Sequence, residues 1–97
     1  MAMLHIIRSS GFSNNALELC IGNLQQGDSL ALLDDGCYNL NHKNLSTLAQ
    51  QLGHENIYVI NEHVKSRALN TPKSIKTISL AQLSELIFTH DNNITWS

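Results

Sequence analysis

Two cysteines, two adjacent aspartates and five histidines are the residues of this 97-residue chain that could carry chemistry. The thiolate is the reactive form of cysteine, so each cysteine is judged by what surrounds it. Leu17, Cys20, Ile21 and Leu24 fall at i, i+3, i+4 and i+7, which is one apolar face of a helix. On that face Cys20 reads as a small buried hydrophobe, because mid-helix supplies no helix N-terminus to stabilise a thiolate. Cys37 ends the segment Ser29-Leu30-Ala31-Leu32-Leu33-Asp34-Asp35-Gly36-Cys37. An apolar run that stops in two carboxylates and a glycine is how a buried strand leaves the carboxyl edge of a parallel sheet, where open α/β folds place their sites. Cys37 is therefore expected on an exposed loop. The carboxylates of Asp34 and Asp35 would raise its pKa and blunt it, so Cys37 is expected to carry no sulfur.

Other chemistries fit less well. The cysteines are 17 positions apart with no CxxC, which signals neither a zinc site nor a dithiol pair. His5, His42, His54, His63 and His90 include no pair at the i, i+4 spacing of a helical metal site, so no metal is expected. Asp34 and Asp35 could hold Mg²⁺ at a strand end, but no glycine-rich phosphate loop accompanies them, and turn chemistry is the better reading. Arg8-Ser9-Ser10-Gly11 is not GxGxxG, so no dinucleotide or other cofactor is signalled. Lys65 and Arg67 read as solvated charges on a short helix. Trp96 is the odd residue: a lone tryptophan at a chain end either folds back on its own domain or docks on a neighbour.

The elements that would position these groups alternate. Leu4–Ile7 is a short strand, and Asn15 with Glu18 resembles a helix start. Ser29–Leu33 is a second strand after the Gly27-Asp28 break. Leu45, Leu48, Ala49 and Leu52 mark a second helix closed by Gly53. Ile57–Ile60 is the clearest β signal. Asn61 could cap a short helix over Glu62–Leu69, whose extension Pro72 forbids. Ile75–Ser79 alternates as a fourth strand. Ser79 and Gln82 then form a capping-box pattern, and Leu83, Leu86 and Ile87 line the last helix. Asp91-Asn92-Asn93 loosens the chain before the Trp96 tail. The order β-α-β-α-β-α-β-α predicts one α/β domain over residues 1–97, with a mainly parallel sheet covered on both faces as three layers.

Composition sets the class. Apolar residues make up 42% of the chain and charged residues only 14%, a surface that leans toward an oligomer. A net charge of −2 argues against an electrostatic grip on nucleic acid. No apolar run approaches the roughly 20 residues of a membrane span. Met1-Ala2-Met3-Leu4-His5 lacks the features of a signal peptide, so a reducing cytoplasm with free thiols is expected.

Met3-Leu4-His5-Ile6-Ile7-Arg8-Ser9, Asp35-Gly36 after the second strand, the run from Tyr58 to Leu69, and Ile94-Thr95-Trp96 together resemble the TusB/DsrH family, in order and over nearly the whole chain. The resemblance implies a DsrE-like α/β fold, a variant of the flavodoxin-like arrangement. It implies a subunit that is not an enzyme by itself and works in a cytoplasmic sulfurtransferase complex. In the Tus branch the partners are TusC-like and TusD-like subunits, in a heterohexamer with two copies of each chain. That complex relays sulfur as a persulfide from TusA to TusE, toward 2-thiolation of the tRNA wobble uridine, and the carrier thiol belongs to the D subunit. In the Dsr branch, a sulfurtransferase of sulfur oxidation, the H subunit often has a cysteine in its first helix, which makes Cys20 the candidate sulfur carrier. The family usually reads Arg-Gly where this chain has Arg67-Ala68. If that position takes φ > 0, alanine costs about 1 kcal/mol there.

Overall fold

The computed structural model describes residues 3–10, 15–25, 27–42, 45–72, 75–90 and 92–96, with the backbone alone at 54. The start at Met1-Ala2, Gly11 of the Arg8–Gly11 loop, the His54 side chain and Asp91 of the Asp91-Asn92-Asn93 stretch lie outside the described residues.

Among the described residues five strands form one sheet: β1 (Met3–Ile7), β2 (Ser29–Leu32), β3 (Ile57–Ile60), β4 (Lys76–Ile78) and β5 (Asn92–Trp96). Their order is β4-β3-β2-β1-β5, and every pairing is parallel. Between them run α1 (Ala16–Ile21), α2 (Leu45–Leu52), α3 (Asn61–Ser66) and α4 (Leu80–Thr89). The first three crossovers step in one direction, and the fourth returns across the sheet to set β5 beside β1. Right-handed crossovers then put α1, α2 and α3 on one face and α4 on the other. Packing follows that rule. Leu17, Cys20, Leu48 and Val64 meet Ile7, Leu30 and Val59 on one side, whereas Leu83 of α4 meets Leu4, Ile6 and Ala31 on the other. The central strand β2 is buried along its whole length, as a parallel strand covered on both faces should be.

The predicted alternation and parallel sheet are present, with four differences. The tail is a fifth strand: Met3↔Asn92 through Ile7↔Trp96 pair in register. Asn92 and Asn93 are poor strand formers, and the backbone bonds offered by β1 override that preference. At α1, Asn15 has φ −101° and ψ 14° and makes no side-chain cap, because it lacks the extended backbone that an N-cap side chain needs. The third helix starts directly from β3, so Ile60 is its N-cap and Asn61 is already helical. That helix also stops at Ser66 and does not reach Leu69, because Ala68 turns left-handed at φ 53°. The Ser79–Gln82 capping box of α4 is formed in both directions: Gln82 N–H donates to Ser79 Oγ at 3.1 Å, and Ser79 N–H to Gln82 Oε1 at 2.8 Å.

Candidate functional site

At the carboxyl edge, β1, β2 and β3 deliver Arg8, Asp34 with Asp35, and His63 to one place. Asp34 adopts φ 52°, a left-handed conformation that turns the chain off β2. Its backbone N–H donates to His63 Nδ1 at 2.9 Å, and its Oδ2 accepts from Arg8 Nε at 2.9 Å. A backbone donor on Nδ1 makes that nitrogen the acceptor, so the neutral ring carries its proton on Nε2. Asp35 Oδ1 accepts from Nε and Nη2 of Arg67, both at 3.1 Å, and Arg67 Nη1 donates to the His63 carbonyl at 3.3 Å. Arg67 is thus a clamp between α3 and the loop after β2, and not the solvated charge its sequence setting predicts. Lys65 is exposed as expected.

Residues Asp34–Asn41 fold as tight 3-10 turns that pass over the end of β1. Gly36 is where they cross. A Cβ there would lie 2.1 Å from the Ile7 carbonyl oxygen, so only glycine fits. The turns also carry Cys37 inward. It is fully buried, with Sγ 3.7 Å from the Leu32 carbonyl, which corrects the expectation of an exposed loop. The physical reason is the crossing at Gly36, which lays the chain against the core before it reaches α2. Burial pushes the Cys37 thiol up to about 11, Arg67 pulls it back, and Asp34 and Asp35 add to the rise. The carboxylates act in the expected direction, but burial is the main cause.

Cys20 lies on the inner face of α1 and is fully buried. Burial pushes its thiol up to about 12, and the Asp28 charge contributes further. Both cysteines are free. Neither side chain reaches the surface, so neither is presented to an incoming sulfur donor.

A second polar cluster lies on the α1 side of the sheet. His5 on β1 is buried, and its Nε2 lies 2.8 Å from Oδ2 of Asp28, the residue before β2. Trp96 Nε1 donates to His5 Nδ1 at 3.1 Å, and the two rings stack with centroids 6.3 Å apart. Met3 N–H and Gln25 N–H close the remaining Asp28 sites. Burial works to raise the Asp28 pKa, but the bonds from His5, Gln25 and Met3 carry it below the usual carboxylate range. Trp96 therefore packs on its own chain. In the sequence His5 reads as one of five scattered histidines and Asp28 as a break. The available signal was a polar ring inside an apolar strand, which needs partners once buried, and an indole N–H that needs an acceptor.

Among the described residues no three metal-ligating side chains gather, and no helix is long and apolar enough to cross a membrane.

A family model described as "DsrH like protein" matches residues 9–93. No curated protein sequence matches the chain. Among solved structures, the solution NMR structure of protein Tm0979 from Thermotoga maritima is similar, with a TM-score of 0.63 at 15% identity, covering 92% of this chain and 93% of that one. At that identity the likeness speaks for the fold.

Proposed function

The chain belongs to the DsrH-like family, which supports a subunit of a sulfur-relay or sulfurtransferase assembly, and we propose that it is the non-catalytic member of a TusBCD-type relay. In this reading it joins TusC-like and TusD-like subunits in a cytoplasmic heterohexamer, two copies of each. The complex passes persulfide sulfur from TusA to TusE for 2-thiolation of the tRNA wobble uridine, and the carrier thiol sits on the D-type partner. The observation that carries this reading is the burial of both thiols with their pKa values at about 12 and about 11. A relay cysteine has to attack as thiolate and be reached by its donor. Exposed apolar side chains, Phe88 at 89% and Leu19 at 52%, are consistent with surfaces that partner subunits cover.

The second reading is a DsrH-like subunit of a sulfur-oxidation transferase with Cys20 as carrier. The matching family model and the place of Cys20 in α1 favour it. It requires α1 to lift from the sheet.

Both readings meet in one experiment. The chain is co-expressed with TusC-like and TusD-like subunits, given a persulfide donor, and mapped by mass spectrometry. A stable complex on size exclusion is expected, with stoichiometric persulfide on the D-type subunit and none on Cys20 or Cys37. Cys20→Ser should cost roughly 1–3 kcal/mol of stability through a buried hydroxyl, yet leave transfer intact. A folded Cys20→Ser protein that no longer supports transfer, with persulfide on wild-type Cys20, transfers the assignment to the second reading. A monomer that ignores both partners, or unchanged 2-thiouridine in a strain lacking the gene, defeats the first.

A further inference from the structure

We propose that His5, Asp28 and Trp96 form a protonation switch that holds or releases the C-terminal strand. The indole Nε1–H is a donor and nothing else. It points at His5 Nδ1 from 3.1 Å, so that nitrogen bears no proton. The ring proton is then on Nε2, where it is donated to Asp28 Oδ2 at 2.8 Å. In this arrangement Nδ1 accepts and Nε2 donates, so both ring nitrogens are used.

Adding a proton to His5 disturbs one side only. The Nε2–H bond to Asp28 survives and becomes a charged pair between groups that are 1% and 5% exposed. At Nδ1 the new N–H faces the indole N–H, donor against donor. Trp96 has to withdraw. It is the last paired residue of β5, opposite Ile7. β5 is an edge strand with one neighbour, and its residues 92–95 are exposed. The Arg8 N–H to Trp96 carbonyl bond that also ties this end is long, at 3.4 Å. When the indole lets go, the strand end keeps its backbone pairing with β1 but loses the indole bond and the packing of Trp96 on the core.

The groups around the switch are few. Asp28 faces His5 from the start of β2, and Cys20 of α1 lies on the same side, where its burial keeps the thiol neutral. Glu18 of α1 is exposed. Arg8 is at the far end of β1 and pairs with Asp34. His90 bonds the Ser29 hydroxyl, next to Asp28 in sequence, as the chain leaves α4 on the opposite face. The switch needs no part of the sulfur-relay role.

The test uses the full chain labelled with ¹⁵N, titrated from roughly pH 8 to pH 5, where histidines change charge. Long-range ¹H–¹⁵N correlations report the His5 ring, and the indole signal of Trp96, the chain's one tryptophan, reports the bond. The Nε2–H tautomer is expected at the upper end. As His5 protonates, exchange of the indole proton and of the β5 amides should rise about tenfold or more in the same step, while the β2 and β3 amides hold. Trp96→Phe keeps a ring but removes the donor, so β5 protection should then be flat across the step. An Nδ1–H tautomer at high pH overturns the proposal. So does β5 protection that ignores His5 protonation, or His5 protonation that occurs only with global unfolding.

Discussion

Of the two described non-glycine residues with a left-handed backbone, Asp34 and Ala68, alanine is the type that favours it less. Leu69 N–H donates to the Val64 carbonyl and Ala68 N–H to the Lys65 carbonyl, both at 3.1 Å. That is the bond pair of a Schellman helix end, with Ala68 at the left-handed position that glycine usually holds. Val64 and Leu69 supply the accompanying apolar contact. Ala68→Gly should therefore stabilise the chain by about 1 kcal/mol, read as a higher urea midpoint at unchanged slope. An unchanged or lower midpoint would mean that strain at this end is not felt. The sequence carried the condition for this cost, an alanine where the family resemblance leads one to expect glycine, but not the φ of 53° that brings it into force. Cys20 was legible because the helical stripe already implied a buried thiol. Cys37 was not. Its burial depends on Gly36 passing within contact of Ile7, a tertiary event between residues far apart in sequence. His5 and Trp96 are 91 positions apart, so their bond leaves no local pattern.

Helices and strands with a strong period were legible; those made by pairing were not. α4 is the clearest case of the first kind. Its capping box forms as the Ser79 and Gln82 spacing predicts, and Leu83 faces the sheet. β5 is the clearest case of the second, since Asn92 and Asn93 become a strand only because β1 has an open edge. Strand order was equally hidden, because the run of elements is the same whichever side of β1 the last strand joins. α4 also has a heavier task than the other helices. Among the described residues it is the one helix over Leu4, Ile6 and Ala31. Loss of its cap should therefore be felt by the sheet as well as by the helix. Ser79→Ala is expected to cost about 1 kcal/mol, which lowers the melting temperature by roughly 4–8 °C in a domain of this size. Amide exchange should quicken at Leu83, whose N–H donates to the Ser79 carbonyl at 3.1 Å. If the melting point holds while that amide opens, the first turn frays without loosening the sheet.

At the scale of the molecule, the buried titratable groups set opposite edges to the pH range of stability. Asp28 has its folded pKa below the unfolded value. Its contribution is present above about pH 4, where the unfolded carboxyl is ionised, and is lost as pH falls through the folded value. The two thiols act in the other sense. In the folded chain Cys20 titrates at about 12 and Cys37 at about 11, against 9.0 for the free group. Below about pH 9 both states hold those protons and stability does not depend on them. Above it the unfolded chain gives them up while the folded chain keeps them, so stability falls with rising pH until the folded values are passed. Urea midpoints measured from about pH 7 to 10.5 should be level at first and then drop. Lysines and tyrosines titrate in the same range, so the difference from a Cys20→Ala, Cys37→Ala double variant isolates the thiols. That variant is expected to start lower at neutral pH, because two buried sulfurs leave space behind. Its midpoint should then decline less steeply above about pH 9, and the two curves should converge. Parallel curves would mean that the thiols are open to water in the folded chain. In that case the burial that supports the proposed non-catalytic role is lost with it.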